Sequence, residues 1–311
     1  MLTALLPVEG RGEQFPSRPV RLIVPFAAGG GVDIMARIIG QKLTDIWGQP
    51  VIIEDRGGAA GAIGAQVVAG AEPDGYTLLF TADNVLTINP IIKKVSYDPI
   101  KSFAPISQVS AGSYIFGVNP GVKATNIKEF VALAKAHPGT MNFGTPGTGS
   151  LHHLGLELFK YTAGVDMVHV PYTGTGPAVM AVLQGNVQLT LASISAGLAQ
   201  VHSGGIRALA VTGMKRSPTL PDVPTVAESG YPDYEVTGWY GVLAPAGTPS
   251  NVVEKISADI QTVLARPDVQ AKLAEQGSDP AKSSPKELSV LIASDLAKWS
   301  HVIKQMNLRL E

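Results

Sequence analysis

The residues of this chain best placed to bind a ligand form a glycine-rich run, PFAAGGG at 25–31. An apolar run, VRLIV at 20–24, precedes it, and apolar residues with helical spacing follow it, which predicts a strand joined to a helix N-terminus. Unpaired N–H groups and the positive end of a helix dipole meet at such a junction and favour an anion. Consecutive glycines let the backbone approach a ligand and adopt positive φ. We predict an anion-binding loop, although a turn that binds nothing would have the same features.

Nucleotide-binding glycine motifs do not fit this chain. No Gly-Lys pair follows a glycine cluster, which excludes a P-loop. The pattern Gly-x-Gly-x-x-Gly fails at its sixth position, which is Ile34 counted from Gly29 and His152 counted from Gly147. The third glycine cluster, at 174–176, fails in the same way. The loop is therefore expected to hold an anion smaller than a nucleotide, such as a carboxylate.

Composition narrows the function classes further. The chain has 311 residues with a net charge of −1, which gives no reason to expect nucleic acid or an anionic membrane surface as a partner. It contains no cysteine, so disulfides and thiolate metal sites are excluded. No apolar run reaches about 18 residues, so no membrane insertion is expected. No cofactor is predicted.

Strand and helix patterns alternate from residue 20 onward, which predicts an α/β fold. Two further glycine-rich loops, at 144–150 and 172–177, also follow short apolar strands. We refer to residues 26–30, 144–150 and 172–177 as the first, second and third loops. A further strand is expected at 187–191, with ASIS at 192–195 as the loop that follows it. Open α/β sheets bind ligands at the carboxyl ends of their strands, so facing glycine loops from two α/β units would enclose a small anion.

Several motifs, taken in order, resemble those of a known family. They are PSRPVRLIVPFAAGG at 16–30, GQPV at 48–51, PDGYTLL at 73–79, YDP at 97–99, FAPI at 103–106, VHVPY at 168–172, LPDVPT at 220–225 and APAGTP at 244–249. The chain resembles the periplasmic solute-binding receptors of the tripartite tricarboxylate transporter type, often called Bug proteins.

This resemblance implies a two-lobed periplasmic binding protein fold, the Venus flytrap, with the ligand cleft between lobes. Lobe one would comprise 16–117 plus 238–311, and lobe two 118–237, with hinge crossings near 118–119 and 237–239. Residues 1–15 would be a disordered tail or a signal remnant. The implied protein is a periplasmic monomer that is not an enzyme and that passes a small carboxylate to membrane transporter subunits. The signal peptide expected of such a receptor is absent or truncated in this sequence.

The sequence and the resemblance together nominate ligand-binding residues on the loops. Asp33 and Ser150 could equally be helix caps, and Asp83 is expected to be structural. Many relatives carry an acidic residue where this chain has ASIS, so recognition of an amino group is not expected. The candidates are Phe26, Ala27, Ala28, Gly29, Gly30, Asp33, Asn84, Thr148, Gly149, Ser150, His153, Tyr172, Thr173 and Ser193.

Two other functions stay open at this point. The same fold could serve a ligand sensor that docks on a signalling partner. A serine hydrolase would use Ser150 with His152 or His153, but no Gly-x-Ser-x-Gly elbow is present. His153 and Glu157 lie one helical turn apart and could share a metal, although no third ligand is evident. Trp239 lies near the expected second crossing and is the tryptophan with most reason to meet the ligand.

Overall fold

The computed structural model describes residues 15–305. The predicted tail at 1–15 lies outside the described residues except for its last member. The first part of the chain contains β1 (Val20–Val24), α1 (Gly31–Trp47), β2 (Val51–Asp55), α2 (Ala62–Ala69), β3 (Thr77–Ala82), α3 (Asn84–Thr87) and α4 (Asn89–Ile92).

The middle of the chain begins with a long strand and then alternates helix and strand. Its elements are β4 (Phe103–Val118), α5 (Ile127–Ala136), β5 (Asn142–Thr145), α6 (Leu151–Ala163), β6 (Val168–Pro171), α7 (Thr175–Leu183), β7 (Leu189–Ser193), α8 (Ile194–His202) and β8 (Arg207–Val211). The last part contains β9 (Thr237–Pro245), α9 (Ser250–Leu264), α10 (Pro267–Glu275), β10 (Asp279–Pro280) and α11 (Pro285–Gln305).

The strands pair into two sheets that share β4. In the first sheet the order is β2-β1-β3-β9-β4, with β10 on β4, and β9 and β10 run antiparallel to β4. In the second sheet the order is β8-β4-β7-β5-β6, with β5 parallel to both of its neighbours. Parallel strands joined through helices place their carboxyl ends, and the loops that follow them, at one edge of each sheet.

Both sheets are covered by helices on both faces. Along β1, Leu22 and Val24 contact the core formed with α1, α9 and α10, whereas Ile23 contacts the core formed with α2, α3 and α11. In the second sheet, Phe116 joins the core with α5 and α6, and Ile115 joins a core with α8. This alternation follows from the two-residue period of a strand buried on both sides.

The point at which β4 changes sheets differs from the predicted first crossing. β4 pairs with β9 up to Ser113 and with β7 from Tyr114, without interruption of the strand. The first crossing was expected near 118–119, but β4 changes sheets between Ser113 and Tyr114 and runs on through the second sheet to Val118. The second crossing was expected at 237–239, and β9 begins at Thr237, opposite Ser113. The lobes as moving units stay a prediction.

Helix α11 contacts both halves of the molecule. Leu288 and Ile292 near its start belong to the core of the first sheet, and Trp299 and Val302 near its end belong to the core of the second. Within residues 15–305, none of the helices has both the length and the apolar character that a membrane crossing needs.

Candidate functional site

A cleft of about 730 Å³ opens where the carboxyl-end loops of the two sheets meet. The loops after β1, β3, β5, β6 and β7 line it, together with the crossing segments of β4 and β9 and the turn before β10. Helices α1, α6, α7 and α8 all begin at this cleft. Aligned helix N-termini at one cavity give it a positive potential without a cationic side chain.

Several backbone N–H groups at these helix starts have no acceptor among the described residues. They include Gly31 and Val32 on α1, Leu151 and His152 on α6, and Thr175 on α7, all of which line the cleft. An unpaired amide next to an enclosed cavity is a donor available to a ligand. No lysine or arginine within 15–305 lines the cleft.

The first loop is held from behind by Asp33. Gly29 has a φ of 78°, the left-handed region that favours glycine, and its N–H donates to Asp33 Oδ2 at 2.7 Å. Asp33 Oδ1 lies 2.7 Å from Arg37 Nε, and Arg37 also contacts Asp55. Burial raises the pKa of Asp33, but hydrogen bonds from Arg37 and Gly29 outweigh it, so its pKa is lowered. Asp33 is a charged brace for the loop and does not line the cleft.

The backbone φ of Gly30 is not positive, although consecutive glycines allow positive values. Gly30 is the N-cap of α1 with a φ of −77°, and no side chain caps the helix there. A Cβ on Gly30 would lie 3.3 Å from the Ala27 carbonyl oxygen, so a side chain there would press on the first loop. Within this run of glycines, the positive φ is found at Gly29.

The second loop is held in the same way by His153. Gly149 has a φ of 76°, and its N–H donates to His153 Nδ1 at 3.1 Å. The His153 ring stacks on His169 at 3.8 Å between centroids, and His169 Nε2 lies 2.6 Å from Thr145 Oγ1. Burial, the neighbouring His169 and Lys160 lower the pKa of His153 to about 3. The ring is therefore neutral and acts as a hydrogen-bond acceptor for the loop.

Ser150 caps α6 and faces the cleft. Its Oγ accepts from His153 N at 3.2 Å and donates to the Gly147 carbonyl at 2.7 Å. The hydroxyl proton thus goes to a backbone oxygen and not to a histidine. His153 Nε2 lies 3.8 Å from Glu157 Oε1, and no cluster of three or more metal-ligand side chains occurs in the part of the chain that the structure describes.

The structure brings part of the predicted site together. The residues that line the cleft are Phe26, Gly30, Asn84, Ser150, Thr173 and Ser193. The others are not among the residues that line it: Ala27, Ala28, Gly29, Asp33, Thr148, Gly149, His153 and Tyr172. Tyr172 packs against Gly144 and the core beneath the third loop. Ser193 ends β7 and is followed at once by α8, where a loop was predicted.

Residues that the sequence did not nominate for ligand binding form the floor of the cleft. Tyr114 on β4 and Tyr240 on β9 line it, with Asp83 after β3 and His152 in the first turn of α6. A polar aromatic residue in each crossing strand was the available signal, but both fall within otherwise apolar or small-residue runs. Trp239 also lines the cleft, as expected, but it is only 3% exposed and its Nε1 donates to Asp295 Oδ2 at 2.8 Å, so its ring also joins β9 to α11.

The ionisable groups at the floor are neutral near pH 7. Burial and the nearby Asp295 raise the pKa of Asp83 to about 8. Burial and Asp83 raise the pKa of Tyr240 to about 12, and burial raises that of Tyr114 as well. Burial lowers the pKa of His152 to about 4. The floor therefore adds hydrogen-bonding groups without adding a full charge.

Comparisons with known proteins agree with this architecture. The model of the tripartite tricarboxylate transporter family receptor matches residues 35–308. The chain belongs to this family. The match confirms the resemblance drawn from the motifs, and with it the two-lobed α/β fold class.

Individual relatives align over nearly the whole chain. Protein BugT of Bordetella pertussis is 34% identical over 96% of this chain and 92% of its own length. The structure of Rpa4515 from R. palustris with adipate has a TM-score of 0.82 at 33% identity, covering 94% of this chain and 98% of that one. MatC from Rhodopseudomonas palustris with bound malate has a TM-score of 0.78 at 31% identity, covering 93% of this chain and 100% of that one.

Proposed function

We propose that this protein is a periplasmic receptor that captures a small carboxylate in the cleft and delivers it to the membrane subunits of a tripartite tricarboxylate transporter. The observation that carries this proposal is the convergence of unpaired amides from α1, α6 and α7 on one cavity that no lysine or arginine within 15–305 lines. Such a site favours a carboxylate over a neutral sugar, which gains little from helix dipoles, and over an amine. The adipate and malate held by two relatives are of this class.

The free-energy requirement is met by the donors present. A micromolar dissociation constant corresponds to about −8 kcal/mol. Hydrogen bonds to a charged group contribute roughly 1.5–3 kcal/mol each, and ordering the ligand costs at least about 4 kcal/mol. Four or five amides from two loops therefore suffice.

The arrangement around Ser150 favours binding over catalysis. A serine nucleophile needs a base that takes its proton. Here the proton goes to the Gly147 carbonyl, and the Nδ1 atom of His153 is occupied by the Gly149 N–H. A bound acid recovered chemically intact after long incubation would support the receptor, and a cleaved product would overturn it.

Ligand capture is expected to close the cleft. Donors lie on both sheets, so the ligand is held fully only when the two approach each other. The crossings at 113–114 and 236–237 are the segments through which such a rotation would pass. Small-angle scattering of the monomer should show a smaller radius of gyration with ligand, and an unchanged radius at saturation would contradict closure.

The ligand class is tested by native mass spectrometry followed by a thermal-shift panel of mono-, di- and tricarboxylates, aromatic acids, sugars and amines. Stabilisation should follow RT ln(1 + [L]/Kd), about 2.7 kcal/mol at a hundredfold excess. A sugar or an amine that binds better than every acid would overturn the proposal.

A further inference from the structure

A second concave surface of the molecule lies between α4, the segment that follows it and α11. It is an open groove of about 820 Å³, and none of the residues that line it lines the cleft. We call it the lysine groove. Apolar and basic side chains line it together, among them Ile91, Val95, Leu296, Lys93, Lys94 and Lys101.

The lysine groove carries positive charge in a chain whose net charge is −1. Within residues 15–305, Asp98 is the one acidic residue that lines it, which leaves two of the three lysine charges without a carboxylate in the groove. Asp98 Oδ1 accepts from the N–H groups of Ile100 and Lys101 at 2.9 and 3.0 Å, so this carboxylate closes its own turn. Lys94 and Lys101 are exposed, and neither forms an ion pair with a described residue.

The YDP motif at 97–99 shapes this groove and has no part in the cleft. Tyr97 is 6% exposed, and its hydroxyl donates to the Val85 carbonyl on α3. Together with the turn closed by Asp98, this bond holds the lysine-bearing segment against α3. The groove is therefore a fixed surface with a defined pattern of charge and apolar side chains.

Helix α4 joins the lysine groove to the second loop of the cleft. Its Ile91 lines the groove, whereas Ile92 Cδ1 lies 2.8 Å from the position of a Cβ added to Gly149. Both isoleucines pack on the core of the second sheet, while Val85 and Leu86 of α3 belong to the core of the first. Helix α11 contacts both cores as well. A rotation of one sheet against the other would therefore change the spacing between α4 and α11.

The residue that ends α4 also holds a turn next to the first loop. Lys93 Nζ donates to the Ala59 carbonyl at 2.9 Å. Ala59 and Ala60 have φ values of 48° and 53°, a conformation that is unfavourable for alanine and persists only where neighbouring groups hold it. At the end of this turn, a Cβ on Gly61 would lie 3.3 Å from Cζ of Phe26, which lines the cleft. The groove is thus linked to both glycine loops.

We propose that the lysine groove is the surface on which an acidic protein segment of the transporter's membrane subunits docks, and that α4 lets this segment distinguish a loaded receptor from an empty one. This inference rests on the proposed function, and it adds the surface that meets the membrane partner. Apolar side chains of the segment would fill the groove between α4 and α11, and its carboxylates would meet Lys94 and Lys101. A lipid headgroup would meet the lysines but leave the apolar groove unfilled.

Uptake of radiolabelled malate and adipate into vesicles that contain the transporter's membrane subunits tests the surface directly. Lys94→Glu combined with Lys101→Glu reverses two charges of the groove and leaves Lys93, which holds Ala59, in place. This variant should need about tenfold more receptor for half-maximal uptake, while its Kd for the acid in calorimetry changes less than about twofold, because charges at a docking surface act on association with the partner. Wild-type uptake by this variant would overturn the docking surface.

Lys123→Glu combined with Lys215→Glu is the matched control. Both lysines are exposed, neither lines the groove, and neither forms an ion pair with a described residue, so the control makes the same change in net charge elsewhere. It should keep uptake within about twofold of wild type, and a loss equal to that of the groove variant would overturn the assignment. Binding of wild type to bare phosphatidylglycerol vesicles, abolished by the groove variant, would identify a lipid as the occupant and overturn a protein partner.

The link through α4 is tested with a fluorescent label. Because the chain contains no cysteine, one introduced cysteine is the only thiol. Ile100→Cys places the label in the groove, and Ile52→Cys on β2 is the control, since both isoleucines are 45% exposed. Malate or adipate should change the emission of the groove label, with the Kd found by calorimetry, and leave the β2 label unchanged. A groove label that does not respond at saturation, or an equal response at both positions, would overturn the link.

The outcomes separate this inference from the proposed function. If no carboxylate binds the purified protein, both are overturned. If acids bind and drive uptake but the groove variant behaves as wild type, only the docking surface is overturned.

Discussion

The first and second loops are each held by one hydrogen bond to a side chain behind the loop, but the accepting group differs. Each contains a glycine in the left-handed conformation, Gly29 or Gly149, just before a long helix that begins at the cleft. In each, that glycine N–H donates to the side chain four residues later, Asp33 in one and His153 in the other. Asp33 is charged and paired with Arg37, whereas His153 is neutral and stacked on His169.

The difference shows how a loop near an anion can be braced from behind. A carboxylate brace is a strong acceptor but adds negative charge near the ligand, and Arg37 offsets that charge. A neutral imidazole adds no charge but accepts only while it remains unprotonated. The first loop is therefore expected to depend on an ion pair, and the second on the protonation state of a ring.

Loss of the charged brace should have the largest effect. Asp33→Ala removes an acceptor that holds both Gly29 and Arg37, and we expect a loss of about 3 kcal/mol in the free energy of unfolding, since hydrogen bonds to a charge contribute roughly 1.5–3 kcal/mol each. Ligand affinity should fall more than about tenfold as the loop loses its orientation. Asp33→Asn is the control, because its amide oxygen can still accept from Gly29. Urea unfolding and calorimetry measure both effects, and an Asp33→Ala protein with unchanged affinity would show that the brace is dispensable.

The neutral brace should be sensitive to acid. The pKa of His153, about 3 when folded, lies below the usual value of 6.5, so its contribution to stability is complete above pH 6.5 and is lost as the pH falls towards 3. Between pH 7 and pH 5 this loss should be about 2 kcal/mol. It is isolated by comparing wild type with His153→Asn, which keeps an acceptor for Gly149 but does not titrate. Other titrating groups, including Asp83, are common to both proteins and cancel. Parallel stability curves for the two proteins between pH 7 and pH 5 would contradict this role for His153.

The glycine loops were predictable because their evidence is local. A strand pattern, consecutive glycines and a helical pattern occupy adjacent residues at 20–47. The direction in which Asp33 or His153 points is not local information, because a brace and a ligand contact have the same sequence signature.

The cleft floor could not be predicted for a different reason. Tyr114 and Tyr240 meet only because Ser113 pairs with Thr237 and β4 changes sheets at the next residue. The register of an antiparallel pair separated by more than a hundred residues is set by the folded sheet and by no local pattern. Asp83 and His152 join the floor through two further elements, so the cluster exists only in the assembled fold.

Adding a methyl group at each left-handed glycine tests how tightly each loop is packed. A Cβ on Gly29 would have no heavy atom within 4 Å, whereas a Cβ on Gly149 would lie 2.8 Å from Ile92 Cδ1 on α4. Both substitutions to alanine carry the backbone cost of a left-handed alanine, about 1–2 kcal/mol. Gly149→Ala should cost more than Gly29→Ala because the Ile92 side chain must also shift. Ile92→Val removes the contacting atom and should restore Gly149→Ala to the level of Gly29→Ala in thermal unfolding. If Ile92→Val restores nothing, the second loop does not approach α4 this closely.

The smallest change in stability is expected for Ser150→Ala, and comparing it with Asn126→Ala separates helix capping from ligand binding. Ser150 and Asn126 each cap a helix by accepting a backbone N–H, from His153 at 3.2 Å and from Glu129 at 2.9 Å. Substitution of either by alanine should lower the free energy of unfolding by about 1 kcal/mol. Only Ser150 lines the cleft, beside amides that have no acceptor among the described residues. Ser150→Ala should therefore also weaken carboxylate binding several-fold in calorimetry, whereas Asn126→Ala should leave affinity unchanged. Equal loss of affinity in both variants would mean that Ser150 acts on the ligand only through helix stability.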